Sequence, residues 1–440
     1  MMKLTTILAS GLLGVLTLSG TTVGQVAVYD ANGEQKTVLV DAAVTDDDVQ
    51  DESAQKDLCC QEMNDCPNHG CCDRGSGCGR AGSCCVHGDP WELFPKRCSG
   101  LKIGGWTQLG YHSQDSFADL FNQYDDHLAL HQQWIYAEKV ADGSCGMDWG
   151  FRFDAMYGID ADNTQSFGNP GATWDNAASF DHGAYGWALP QAYGELAYGD
   201  VSVIFGHFYT LVGYEVVMAP KNFFYSHAFA MNNIEPFTHT GVEATWKATD
   251  RLTLRGGWTL GWDTGFDQFA DGNNFLGGFQ YELTDKIDVL YYCTMGDFGS
   301  YAGQTAKEGY EHTVLVDFSL TERLNYVFET DLLRIGDLGG TGNDFNSVGI
   351  NNYLFYTLND CWSVGARLEW WETDVEANPG QYSNVTLNEF TLGLNWRPNA
   401  NLVLRPEVRH EWFPADGDAQ RYGSDDAQQT IFGVDGVLTY

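Results

Sequence analysis

From Ile103 onward, apolar and polar residues alternate along the chain with a period of two. In 310–320, His312, Val314, Val316, Phe318 and Leu320 share one face, opposed by Thr313, Asp317 and Ser319. In 324–332, Leu324, Tyr326, Phe328 and Leu332 oppose Asn325, Glu329 and Asp331. In 252–260, Leu252, Leu254, Trp258 and Leu260 oppose Thr253, Arg255 and Thr259, and in 362–371, Trp362, Val364, Ala366, Leu368 and Trp370 oppose Ser363, Arg367 and Glu369. Successive side chains of a strand point to opposite faces, so each segment is a strand with one apolar and one wet face. The pattern predicts sixteen strands, at 103–112, 128–140, 147–159, 187–199, 201–208, 237–249, 251–261, 274–284, 286–296, 309–321, 323–334, 345–358, 361–373, 383–398, 401–412 and 428–440. Pro406 falls inside one of them and costs a ladder hydrogen bond.

Turn signals recur between the strands. Thr249-Asp250-Arg251-Leu252 returns as Thr284-Asp285-Lys286-Ile287 and as Thr321-Glu322-Arg323-Leu324. Weaker copies are Leu358-Asn359-Asp360-Cys361 and Pro398-Asn399-Ala400-Asn401. The spacing of roughly 35 to 40 residues fits two strands, one tight turn and one long loop, the asymmetry of outer-membrane barrels. A soluble β-sandwich also alternates. Long strands, with aromatics near their ends, favour the barrel. The fold class expected is all-β, a transmembrane antiparallel β-barrel of about sixteen strands, which encloses an aqueous channel.

Composition agrees. The 440 residues include 51 glycines, 14% aromatics and only 19% charged residues, which suits strands and tight turns. The net charge of −37 argues against nucleic-acid binding and leans towards cations. No run of 18 apolar residues follows the N-terminus, which excludes a helical membrane protein and leaves a barrel open. Residues 1–24 read as a cleaved signal peptide: Lys3, an apolar run from Leu4 to Leu18, then Thr22-Val23-Gly24 before Gln25. A membrane anchor helix is the weaker alternative, because the run is short and rich in Thr, Ser and Gly.

Residues 25–57 are polar and acidic and read as a flexible linker. Residues 58–100 hold Cys59, Cys60, Cys66, Cys71, Cys72, Cys78, Cys84, Cys85 and Cys98. After export these are disulfide candidates; thiolate metal binding, helped by His69 or His87, is less favoured because clean C-x-x-C pairs are missing. Their number is odd, so one is expected to reach Cys145 or Cys361, to stay free, or to bridge two chains.

The third long loop, 209–236, is too aromatic for an ordinary solvated loop. It carries Tyr214, Glu215, Lys221, Asn222, Tyr225 and His227. Folding into the lumen would bury that surface and constrict the pore; capping the mouth or touching a neighbouring barrel are the alternatives. Charges on the polar faces are the candidate pore lining: Arg152, Asp154, Glu195, Glu243, Arg255, Asp288, Asp317, Glu329, Asp331, Arg367, Glu369, Arg405, Glu407 and Arg409, with Glu389, Arg397 and Glu411 beside them. The bland reading of each is an interior ion pair. Rings of charge set ion selectivity, and the acidic excess points to a mild cation preference. The last segment, Gln428 to Tyr440, alternates and ends on an aromatic, like the signal read by bacterial barrel-assembly machinery.

The start from Trp106 to Tyr111, the Gly213-Tyr214-Glu215 triplet, the Ala219-Pro220-Lys221-Asn222-Phe223-Phe224-Tyr225-Ser226 run, the hairpins and the aromatic end resemble the OmpL-like β-barrel porin family of bacterial outer membranes. The resemblance covers about 101–440 and implies passive transport of small hydrophilic solutes across a lipid outer membrane. Homotrimers are common among sixteen-stranded porins. No G-x-S-x-G, H-E-x-x-H or Walker loop occurs, and His127 and His131, four apart, lie further from each other on a strand than on a helix, so neither catalysis nor a cofactor or resident metal is expected; divalent cations bound by loop carboxylates at the surface are a weaker alternative. The alternative reading is an anchoring barrel whose cysteine-rich segment binds a periplasmic or cell-wall partner.

Overall fold

The computed structural model describes the short strand pair Ala27–Tyr29 and Gln35–Thr37, residues 90–94, and residues 100–440 except 122, 170–173, 337, 341–343 and 379–380. The leader, most of the acidic segment and the nine clustered cysteines lie outside the described residues. Cys145 and Cys293 carry free thiols.

Sixteen antiparallel strands close into one barrel. They are β1 (Lys102–His112), β2 (Ala129–Lys139), β3 (Asp148–Gly158), β4 (Gly186–Tyr198), β5 (Val201–Tyr209), β6 (Thr238–Thr249), β7 (Leu252–Thr259) and β8 (Asn273–Thr284). There follow β9 (Ile287–Asp297), β10 (Gln304–Ser319), β11 (Leu324–Gly336), β12 (Phe345–Asn359), β13 (Trp362–Asn378), β14 (Gln381–Asn399), β15 (Leu402–Trp412) and β16 (Gln428–Thr439). The alternation located all sixteen. Two strands run five residues further than it predicts, β10 beginning at Gln304 instead of 309 and β13 ending at Asn378 instead of 373. A short strand, Gly299–Tyr301, pairs with the start of β10 and carries no alternation to reveal it.

Closure joins the ends of the chain's barrel. β16 pairs with β1 from Gly433↔His112 to Thr439↔Trp106, and Tyr440 exchanges backbone hydrogen bonds with Gly105. Every strand therefore has two neighbours, which is what a hydrocarbon environment demands of backbone N–H and C=O groups. At Pro406 the β14–β15 ladder lapses between Gly393↔Glu407 and Trp396↔Leu404, whereas the β16 side stays continuous.

The repeated turn sequence has a local cause. Thr249, Thr284 and Thr321 each accept, through the side-chain hydroxyl, the N–H two residues on. Asn359 and Asn399 do the same with the amide oxygen. A short polar side chain that bonds its own turn is what these positions require.

The faces are inverted relative to a soluble protein. Outward residues such as Leu368, Leu392, Val408 and Val434 are about half exposed, whereas Arg367, Glu389 and Arg409 on the inner face of the same wall are fully buried. Aromatics mark the short-turn rim: Tyr198 and Trp246 are exposed there, and Trp362 stacks on Trp396 at 5.5 Å. The interior is not an empty cylinder. Loop residues Phe229, Ile234, Trp262 and Phe413 pack with wall residues Leu333, Trp371 and Leu387 into an apolar cluster inside the long-loop half.

Leu368→Arg, mid-height on the lipid face, is expected to destabilise the barrel by about 2–4 kcal/mol, and Tyr198→Arg at the rim by about 0–1 kcal/mol. Reversible urea unfolding in lipid vesicles measures both. Equal costs at the two depths would contradict the assignment of the lipid face.

Candidate functional site

The segment between β5 and β6 turns into the barrel and crosses to the opposite wall. It contains a single 3-10 turn, Ala219–Lys221, and a short helix, α1 (Phe229–Asn233). A buried loop must satisfy its own backbone, and here the far wall supplies the partners. Tyr214 N–H donates to Glu329 at 2.6 Å on β11. Tyr225 and Ser226 N–H donate to the two oxygens of Glu407 at 2.9 and 3.1 Å on β15. Phe229 and Ala230, the first residues of α1, donate to the two oxygens of Glu369 at 2.6 and 2.7 Å on β13. Carboxylates thus sit where free amides point.

Arginines answer the loop's carbonyls. Arg405 donates to Ala219 O at 2.9 Å and Asn222 O at 2.8 Å. Arg409 donates to His227 O at 2.5 Å, and Arg367 to Ser226 O at 3.0 Å. Arg367 is also held between Glu215 of the loop and Glu389 of β14, each at 2.6 Å. The charges are fully buried, so their mutual pairing offsets the cost of leaving water. Removing one partner of such a pair costs about 3–5 kcal/mol.

Aromatic packing completes the seat. Phe223 and Phe224 lie against β12–β14, where a Cβ on Gly365 would come within 2.4 Å of Phe223 and one on Gly393 within 2.9 Å of Phe224. Tyr214 packs on Tyr353 with ring centroids 4.7 Å apart. Asn222 clips the loop to itself by accepting from Val216 N–H at 3.0 Å. Tyr225 meets His131 Nε2 at 2.6 Å, and His227 N–H donates to Asp119 at 2.9 Å.

The residues expected to line one lumen therefore divide into two groups. Glu329, Asp331, Arg367, Glu369, Arg405, Glu407 and Arg409 lie beneath the loop, as do Glu215, Asn222, Tyr225 and His227 of the loop itself. On the other side a cavity of about 230 Å³ remains between the loop and β2–β9. Arg152, Glu195, Glu243 and Arg255 line it, with Tyr214 and Lys221 from the loop. Asp154, fully buried, pairs with Arg152 at 2.7 Å. Asp288 and Asp317 are register partners towards the short-turn end, where Asn325 donates to Asp317 at 2.5 Å. Glu138 also lines the cavity, Asp119 and Asp435 pair with Arg409 and Arg405 beneath the loop, and Glu235 is a residue of the loop's own exit. The sequence reading missed these four. Glu138 and Asp435 lie on strands, where the alternation applied equally well could have found them. Asp119 and Glu235 are on loops and leave no periodic signal.

The loop's return to β6 is tied by Asp263, in the 260–272 loop. It accepts N–H bonds from Phe237 at 2.8 Å and Thr238 at 2.9 Å. Burial pushes its pKa up to about 7, against the opposing pull of those hydrogen bonds. The folded chain therefore holds this proton to higher pH than the unfolded chain does. Stability from this group is fully present below the ordinary carboxyl range and is lost as pH rises from about 4 to about 7. Between those limits the urea midpoint of the wild type is expected to fall relative to Asp263→Asn. Parallel pH profiles for the two would contradict the assignment.

The model of the family described as "Putative beta-barrel porin-2, OmpL-like" matches residues 100–440. No curated protein matches the chain by sequence. Among solved structures, the chain is similar to an anion-selective porin from Comamonas acidovorans, with TM-score 0.52, 11% identity, and coverage of 77% of this chain and 99% of that one. It is similar to Salmonella typhi OmpF in complex with daunomycin, with TM-score 0.52, 11% identity, and coverage of 77% and 97%. It also resembles the trimer form of Vibrio cholerae OmpT, with TM-score 0.50, 10% identity, and coverage of 77% and 99%. At such identities the likeness is one of fold. The family and the closed barrel imply the bacterial outer membrane and a porin-like channel. By its match over the whole barrel, the chain belongs to the OmpL-like β-barrel porin-2 family.

Proposed function

We propose that the protein is a passive diffusion channel for small hydrophilic solutes or ions, with a mild preference for cations. The observation that carries this reading is the cavity between the inward loop and the β2–β9 wall. Its lining offers Glu138, Glu195 and Glu243 against Arg152, Lys221 and Arg255. Opposite charges facing one another across a confined wet space orient permeating solutes, and charged walls set ion preference. The two signs balance there, so the wall itself imposes little net selectivity.

The preference comes instead from the long-loop mouth. Asp115, Asp126, Asp271, Glu308, Asp344, Asp416, Asp425 and Asp426 are exposed on that side, against Lys307, Arg334 and Arg421. An acidic mouth raises the local cation concentration over about a Debye length, roughly 8 Å at physiological salt. The preference is therefore weak and salt-sensitive. The trimer form of the Vibrio cholerae structure supports the reading that three such barrels associate. The aromatic end of β16 supports its recognition by barrel-assembly machinery.

The full chain, inserted in a planar bilayer under a KCl gradient, is expected to give discrete conductance steps. The reversal potential should favour K⁺, more strongly as total salt falls. Insertion without steps would sink the channel reading, and an anion-favouring potential would sink the cation preference.

A further inference from the structure

The wall beneath the inward loop carries one group of carboxylates that is not matched by cations in the way Arg367, Arg405 and Arg409 match the others. Glu235, just past α1, meets Glu329 and Asp331 of β11, with one ligand oxygen from each within 4.8 Å of the rest. Strand register puts two further polar groups on the same inner face beside these three. Thr313 of β10 lies opposite Asp331, which puts Glu311, two residues along, on the same inner face. Asn351 of β12 lies opposite Glu329.

These groups are shut away from water and short of donors. Glu311, Asp331 and Asn351 have no exposure. Neither oxygen of Glu311 has a hydrogen-bond partner, and Asp331 Oδ2 and Asn351 Oδ1 have none either. The donors at hand are already used. Asn351 Nδ2 and the Tyr353 hydroxyl both donate to Glu329, at 3.3 and 3.2 Å, and the Thr313 hydroxyl donates to Asp331 Oδ1. The charged groups that act most strongly on Glu235 are Glu329, Glu311, Glu215 and Glu369, each of them another carboxylate. Gly213 makes room for the arrangement. At its φ of +89°, a Cβ would fall 1.7 Å from Glu235 Oε2, so a side chain there would expel the carboxylate.

An unpaired buried carboxylate is costly, and several together more so. We propose that Glu235, Glu329 and Asp331, with the unpartnered Glu311 and Asn351 beside them, bind one hard divalent cation, calcium foremost, which fastens the exit of the inward loop to β10–β12. The donor set is all oxygen, with neither the sulfur nor the imidazole that favours zinc or copper. Calcium takes six to eight oxygens in irregular geometry, whereas magnesium demands a near-ideal octahedron and dehydrates reluctantly. A crowded set of carboxylates drawn from a loop and two strands suits the former. The site does not rest on the channel reading, because metal binding and conductance are read separately.

The test uses the full chain folded in detergent and stripped with a chelator. Calorimetric titration with Ca²⁺ is expected to give one tight site per chain, and saturation to raise the thermal unfolding midpoint. Mg²⁺ should do so more weakly. Glu311→Gln and Asp331→Asn should each weaken Ca²⁺ binding at least tenfold. Each should also fold in chelator at least as stably as the wild type, since each removes an unpaired negative charge. Absence of saturable binding by the wild type would overturn the proposal. So would an affinity unchanged in both variants, which would place the ion on surface carboxylates. A wild type stabilised by mild acid but not by Ca²⁺ would show that protons, not a metal, hold the cluster.

Discussion

Hydrocarbon offers no hydrogen bonds, and most of this chain's architecture follows from that. Sixteen strands can all be satisfied only if the last pairs with the first, and β16 closes on β1 through to Tyr440. Closure at this strand number makes a wide cylinder. Its outer face must be apolar and its inner face is free to be polar, which is why Leu368 and Val408 face outward while Arg367 and Arg409, one residue away on the same strands, are buried inside.

A wide polar cylinder creates a second problem, which the inward loop answers. The loop brings twenty-odd backbone amides and carbonyls into the lumen, and the wall has been furnished to receive them. Glu369 and Glu407 each take two successive amides, and Arg405 takes two carbonyls. The same charges that looked like a pore lining are, on the β11–β15 side, the fastening of the loop. On the β2–β9 side the charged groups surround a cavity. The channel, on this account, is off-centre: one half of the lumen is spent on holding the loop, and the other half is what the loop leaves open.

Much of the fold is legible in the sequence, because a two-residue period is a direct print of the pleat. The turn repeat was legible too, since Thr249, Thr284 and Thr321 are each needed to bond their own turns. The candidate site was legible only in part. Alternation assigns Arg367 and Arg255 alike to the inner face, but nothing in it says that the loop covers the first and spares the second. That depends on how 210–237 folds in three dimensions, where Phe223 finds Gly365 and Glu215 finds Arg367. Glu235 was invisible for the same reason: a loop residue carries no period, and its carboxylate neighbours come from strands some ninety residues on.

The division of the lumen is the central claim, and thiol accessibility tests it most directly. Single cysteines at Ser202, which lines the cavity, and at Thr391, which is buried against Arg367, would be exposed to a small charged methanethiosulfonate during bilayer recording. The account predicts rapid loss of conductance, beyond any change in the wild type, for Ser202→Cys and none for Thr391→Cys. Block at Thr391→Cys with Ser202→Cys unaffected would put the passage beneath the loop and contradict it.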